Sequence, residues 1–343
     1  MDDGAKSRSR FLLPAAILIP LLAAGGFLLW QAARAKVYRR ADYLMGTLVE
    51  ITAYGGKARA GVDAAFAAMR RIEALTDSRR PGSDVARLAR AAGRGPVRVR
   101  PETMAMLRLA AAYWRRSRGA FDVTVAPVVK AWGFEPGGKP RLPRRDELLA
   151  ALRLVGGGDL ILDARAGTAR LARAGMAVDL GGLAKGYAVD RAYEALARAG
   201  VRGALINGGG SSIRVLGRPP RGGRWRIGLA HPRRAGEFLA VFLLRPGEAL
   251  GTSADNQRFF MAGGRRYAHL IDPATGEPAR RSILFSVVGG RAAVADILST
   301  ACFVLGPKEG LEFAARERAR GLVYGADGRV RRSPGLSVSE LNP

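Results

Sequence analysis

The chain has 343 residues, a formal net charge of +27 and one cysteine. The single Cys302 excludes an intrachain disulfide and supports neither a zinc cluster nor a thiol nucleophile; it reads as a small buried apolar residue. The charge would suit nucleic acid, but the arginines are scattered, as in RRSRG at 115–119 and RRAG at 233–236, with no aromatic-interleaved stripe. Nucleic-acid binding is therefore set aside, and attraction to lipid headgroups is the consequence retained.

Residues 1–10 carry Lys6, Arg8 and Arg10 and read as a basic cytoplasmic N-terminus. The uncharged run Phe11–Ala33 is long enough to cross a bilayer as one helix. An uncleaved anchor over 11–33 is preferred to a signal peptide, whose exit at Ala33-Arg34-Ala35 would be poor. The positive-inside tendency then leaves the rest of the chain outside the cytoplasm, although Arg34, Lys36, Arg39 and Arg40 weigh against this. Residues 34–41 are expected to be a linker, and 42–343 one domain without internal repeats, large enough to bury a core.

In that domain, Leu48–Ala53 alternates as a strand and Ala58–Thr76 has helical periodicity. Pro101 opens a helix that ends near Gly119. Pro136–Pro143 reads as a surface loop. A helix from about Leu183 to Ala199 stops at Gly200, and short strands follow at Gly203–Ile206, Ser212–Leu216, Trp225–Leu229 and Leu239–Leu244. The tail beyond Arg332 is expected to pack poorly. The fold class is α+β, a single mixed domain with largely antiparallel sheets and flanking helices, preceded by the transmembrane helix.

Three segments carry candidate chemistry. DLGGLAKGYAVD, Asp179–Asp190, combines a carboxylate, a Gly-Gly pair, Lys185 and a helix start, which suits a phosphate and its metal. Only seven of the 56 basic residues are lysine, so a lysine here, a compact point charge, stands out. The same stretch also fits an ordinary Gly-rich turn leading into a surface helix with Lys185 solvated. RAAVADILSTACFVLG, Arg291–Gly306, reads as a helix placing Asp296 and Thr300 on one face, where both oxygens could reach a hard cation such as Mg2+. Taken alone, Asp296 reads as a solvated or capping carboxylate and Thr300 as a hydroxyl bonded to its own helix. In YAHLIDPATGEPA, Tyr267–Ala279, His269 precedes a turn; it fits a general base or a structural histidine bonded to the turn. His231, before Pro232, has no such neighbourhood.

Seven collinear motifs resemble the FAD:protein FMN transferases of the ApbE type across nearly all of residues 42–330. They are MGT at Met45–Thr47, GAFDVTVAPVVKAWGF at Gly119–Phe134, DLGGLAKGYAVD, INGGGSSIRVLG at Ile206–Gly217, GTSADNQRFF at Gly251–Phe260, HLIDPATGEP and AVADILSTACFVLG. The resemblance implies Mg2+-dependent transfer of the FMN half of FAD, as substrate, to a threonine or serine hydroxyl of another protein, with AMP leaving. It implies that Met45, Ala120, Phe121 and Asp122 line the FAD site, with Asp179 and Lys185 near the cofactor and Leu270 beside the flavin. Gly182 would offer a backbone carbonyl to the metal, Asp296 and Thr300 its side-chain ligands, and His269 the base. The acceptor would be a flavin-carrying subunit of a membrane electron-transport complex, and the anchor would hold the enzyme in a bacterial inner membrane facing the periplasm.

The sequence departs from the family pattern at DSRRPGS, Asp77–Ser83, where Arg79 stands in place of an aromatic, and at TSADN, Thr252–Asn256, in place of a shorter TSG. Neither change falls on the proposed metal ligands or lysine. Two other functions fit parts of the pattern. A non-catalytic periplasmic flavin-binding protein would not need Asp296, Thr300 and His269 together, and an FAD pyrophosphatase would use the same metal site with water as the attacking group.

Overall fold

The computed structural model describes residues 37–342; the expected N-terminal segment 1–10 and anchor 11–33 lie outside them. Among the described residues no helix is long and apolar enough to cross a membrane. The chain runs β1 (Val37–Leu44), β2 (Thr47–Tyr54), α1 (Ala58–Thr76), α2 (Asp84–Arg90), β3 (Val97–Arg98), α3 (Pro101–Arg116), α4 (Ala126–Ala131), α5 (Arg145–Leu152), β4 (Leu160–Asp163), β5 (Thr168–Leu171) and α6 (Gly181–Arg198). It continues with β6 (Gly203–Gly208), β7 (Ser212–Leu216), β8 (Trp225–Ala230), β9 (Phe238–Leu244), β10 (Ala249–Ala254), β11 (Phe259–Ala262), β12 (Arg265–Ala268) and β13 (Ser282–Gly289). The final elements are α7 (Ala292–Leu305), α8 (Pro307–Arg316), β14 (Arg320–Gly325), β15 (Val330–Arg332) and β16 (Val338–Leu341).

Eight strands form the main sheet in the order β1-β2-β6-β7-β10-β13-β14-β15, with every neighbouring pair antiparallel. Strand β2 shows why one face is covered: Val49, Ile51 and Ala53 are buried at every second position, as a half-buried strand requires. Helix α1 supplies a matching apolar stripe of Val62, Ala65, Phe66, Met69 and Ile72 at helical spacing. Helix α6 packs against α1 and α7, and α7 lies on β10 and β13. Smaller sheets, β16-β9-β8, β3-β5-β4 and β11-β12, flank this core. The α+β class and the antiparallel pairing agree with the sequence reading.

Three boundaries are corrected. Strand β1 begins at Val37 and pairs residue by residue with β2 as far as Tyr54, so much of the stretch expected as a linker, 34–41, is sheet. Helix α6 begins at Gly181 rather than near Leu183. The tail after Arg332 is packed: Ser333 and Leu336 are buried and β16 pairs with β9. The apolar edge of β9 needs a partner, and that partner is distant in sequence. Residues 136–143 form a surface loop, as expected.

Candidate functional site

Close backbone approach brings α7 to the site. A Cβ at Gly186 on α6 would lie 2.3 Å from the Ala292 carbonyl oxygen, and one at Gly251 on β10 would lie 2.3 Å from the Ala295 carbonyl carbon. Only glycine permits both contacts, so α7 is clamped between α6 and β10. Asp190, 1% exposed, locks this arrangement. Its Oδ1 accepts from the Ala292 N–H at 2.8 Å and its Oδ2 from the Ala293 N–H at 3.2 Å, so it caps α7 from the neighbouring helix. It also pairs with Arg214 at 2.7 Å and Arg291 at 3.6 Å.

With α7 so placed, the Gly186 N–H donates to Asp296 Oδ2 at 2.8 Å, and Ser212 Oγ donates to the same oxygen at 2.6 Å. Both bonds converge on Oδ2, which leaves Oδ1 for a cation. Burial pushes the Asp296 carboxyl up to about 7, against the opposing pull of Lys185 and the two hydrogen bonds. One turn on, Thr300 Oγ1 lies 3.1 Å from Ser253 Oγ, which also contacts Ser299 Oγ at 2.9 Å. A Cβ at Gly182 would sit 3.6 Å from Thr300 Oγ1 and 2.9 Å from the Phe121 ring. The Asp296, Thr300 and Gly182 donors are therefore all oxygen, contain one carboxylate, and fit a hard cation that keeps positions for water and phosphate. Among the described residues there is no group of three or more His, Cys, Asp or Glu that could hold a metal ion.

Lys185 Nζ donates to Ser211 Oγ at 2.6 Å. Burial lowers its pKa, the Asp296 charge raises it, and Arg258 lowers it further. Arg258 is the residue that sequence reasoning missed. Its carbonyl accepts from the His269 N–H at 3.0 Å and faces His269 Nδ1 at 3.2 Å. A carbonyl can only accept, so Nδ1 carries the proton and Nε2 presents a lone pair. Burial, followed by the Arg258 charge, pushes His269 down to about 4. The signal for Arg258 is the register of the β11–β12 hairpin, in which Phe259 faces Ala268; extending it by one pair sets 258 opposite 269. His231 is structural: Nδ1 accepts from the Arg233 and Arg234 N–H groups at 3.1 and 2.9 Å.

The other expected residues have defined local roles. Met45 is left-handed, at φ 53°, in the two-residue turn joining β1 to β2, and its N–H donates to Glu73 Oε1 at 2.6 Å. Phe121 is buried and Ala120 half-buried. Asp122 is spent on backbone and side chain, accepting from Thr124 N–H and Oγ1 and from the Gly157 N–H. Asp179 Oδ1 accepts from the Gly181 N–H at 2.7 Å. The N–H groups of Leu183 and Ala184 return to the Leu180 carbonyl. The N–H groups that a helix start would offer a phosphate are thus largely consumed within the turn. Leu270 is buried, and its carbonyl accepts from the Ala279 N–H at 2.7 Å. Arg79 is exposed and bonded to Asp77. Cys302 is fully buried and donates to the Gly310 carbonyl.

The chain is 34% identical over 329 residues to the FAD:protein FMN transferase of Rhodobacter capsulatus, covering 94% of this chain and 61% of that protein. It is 34% identical over 296 residues to the protein of the same name from Treponema pallidum, covering 80% of each. The crystal structure of the Thermotoga maritima ApbE protein matches with a TM-score of 0.81 at 30% identity, covering 87% of this chain and 97% of that one. The flavinyl transferase ApbE of Pseudomonas stutzeri matches with a TM-score of 0.75 at 28% identity, covering 90% and 95%. The sequence model of the ApbE family matches residues 45–323, so the chain belongs to the ApbE family.

Proposed function

We infer that the protein transfers the FMN moiety of FAD to a threonine or serine hydroxyl of an acceptor protein, with Mg2+ as cofactor and AMP as leaving group. One observation carries this reading: the adjacent Ser211 and Ser212 bring Lys185 Nζ and Asp296 Oδ2, from separate helices, to one place, each bond 2.6 Å long. In the reaction, the hydroxyl oxygen bonds to the FMN phosphorus. The bond from that phosphorus to the bridging oxygen breaks, AMP departs with the electron pair, and the hydroxyl proton passes to His269 Nε2.

Positioning and charge stabilisation are the work of this chain in such a transfer. Lys185 meets the pyrophosphate as a point charge, held toward it by Ser211. Asp296, Thr300 and the Gly182 carbonyl would hold Mg2+, which supplies charge neutralisation on the pyrophosphate oxygens. His269 is neutral near pH 7 and so is available to take a proton, and an anionic pyrophosphate beside it raises its basicity. Met45, Ala120, Phe121, Asp122, Asp179 and Leu270 are the residues expected around FAD, with Asp122 and Asp179 acting by shaping the backbone. The acceptor is a flavin-carrying subunit of a membrane electron-transport complex, met on the periplasmic side of a bacterial inner membrane where residues 11–33 anchor the enzyme.

The test mixes the full-length protein with FAD, Mg2+ and such an acceptor domain, and reads intact mass. A gain of one FMN that disappears on removing Mg2+ is expected. Free FMN and AMP with an unmodified acceptor would make the protein an FAD pyrophosphatase, and intact bound FAD would make it a carrier.

A further inference from the structure

An open cleft of about 620 Å³ is lined by Tyr267 and Asp272, which flank the segment that carries His269 and Leu270. Trp132 and Tyr267 form its aromatic wall, stacked with ring centroids 5.5 Å apart. The wall is joined to the candidate site on both sides. Phe134, two residues after Trp132, meets the His269 ring edge-on at 6.4 Å, and Val304, which also lines the cleft, is one turn beyond Thr300 on α7. The hydrogen bond from the Ala279 N–H to the Leu270 carbonyl ties the cleft wall to the residue beside His269.

The charge of the cleft is unbalanced. Arg145, Arg265, Arg280 and Arg281 line it against Asp272 and Glu277. Asp272 is occupied within its own turn, accepting from the Ala274 N–H at 3.0 Å. Among the described residues Glu277 pairs only with Arg280, at 3.8 Å. Among the described residues Arg145, Arg265 and Arg281 have no carboxylate partner, and all three are exposed. Arg265 and Arg280 stand over the Tyr267 ring, 5.9 and 5.2 Å from its centroid, which fixes two guanidinium groups at the cleft wall. Such preset guanidinium groups suit carboxylates.

We propose that this cleft docks an acidic stretch of the acceptor protein, adjacent in that protein to the hydroxyl that enters beside His269. The proposal rests on the transferase reading. It assigns acceptor choice to Arg145, Arg265 and Arg281, none of which is a proposed metal, lysine or base residue. Charge complementarity at the rim then acts on acceptor affinity and leaves flavin binding alone.

The experiment uses the full-length protein and a labelled short peptide in which a threonine is flanked by aspartates and glutamates, compared with its Asn/Gln counterpart, by fluorescence anisotropy. The acidic peptide is expected to bind about tenfold more tightly than the neutral one. The double substitution Arg265→Glu with Arg281→Glu is expected to remove that preference, whereas Arg218→Glu with Arg221→Glu, on an exposed loop elsewhere, retains it. FAD affinity, read by flavin fluorescence, stays unchanged in both. Equal binding of the two peptides, or equal loss in both double variants, would show attraction to the whole cationic chain and overturn the proposal. A fall in FAD affinity confined to the cleft variant would make the cleft part of the flavin site and overturn it as well. Intact mass separates the two readings. Cleft-dependent peptide binding without FMN gain supports the cleft and removes the transferase reading. FMN gain indifferent to the cleft variant does the reverse.

Discussion

Asp296 shows how one side chain trades stability for a binding capacity. Its carboxyl titrates near 7 in the fold, against an ordinary 3.8. The folded state therefore holds the proton more tightly than the unfolded state, and the contribution of this group to stability falls as pH rises from about 4 to 7. Asp296→Asn keeps an acceptor for Gly186 and Ser212 and removes the charge. The metal-free variant is expected to be more stable than the parent by about 1–3 kcal/mol above pH 7, with the difference vanishing near pH 4. Thermal unfolding across pH measures this; a less stable variant at pH 8 would refute it. The same variant should lose Mg2+-dependent transfer, and Mg2+ should raise the unfolding temperature of the parent only. His269→Ala is expected to slow single-turnover transfer by about 10²–10⁴-fold with FAD affinity little changed. Collapse of FAD affinity with normal transfer would make His269 a binding residue instead.

At the level of elements, α7 is useful only where α6 and β10 hold it. Periodicity announces α7 and its Asp296/Thr300 face, but nothing local announces that Asp190 caps it from a helix about a hundred positions earlier. Asp190→Ala leaves two α7 N–H groups and the half-buried Arg214 without their carboxylate. It is expected to cost about 3–5 kcal/mol and to weaken Mg2+ binding, although Asp190 is not a ligand. Chemical denaturation with a parallel Mg2+ titration checks both; a stability loss with unaltered Mg2+ affinity would confine Asp190 to holding the fold. The β11–β12 hairpin works similarly, since its register delivers the Arg258 carbonyl to His269 Nδ1.

Across the whole molecule, both ends of the described chain close sheets. Strand β1 covers one edge of the main sheet, and β16 covers β9, whose residues Leu239, Ala240, Val241 and Phe242 are buried. Removal of residues 334–343 is expected to lower stability by about 2–4 kcal/mol and to promote association through the bared β9 edge. Light scattering and thermal unfolding would register it, and unchanged behaviour would show that the tail adds nothing. The net charge of +27 belongs to this scale too: spread over the surface it favours anionic partners generally.

The sequence by itself determined the α+β class, the helix Ala58–Thr76 and the strand Ser212–Leu216 at their observed bounds, and the lysine, aspartate, threonine and histidine of the candidate site. These are local signals: periodicity, turn residues, and rare residue types inside Gly-rich motifs. Tertiary structure decided what those residues touch. Asp190, Ser211, Ser212 and Ser253 look like ordinary polar positions along the chain and become partners of α7, Lys185, Asp296 and Thr300 only when the sheet and helices close. Asp122 and Asp179 look like ligands along the chain and turn out to be spent on backbone N–H groups. Strand pairing and helix docking join residues as distant as Val49 and Gly208, and the free energy that selects those pairings comes from burying one shared core, a quantity no short window of sequence contains.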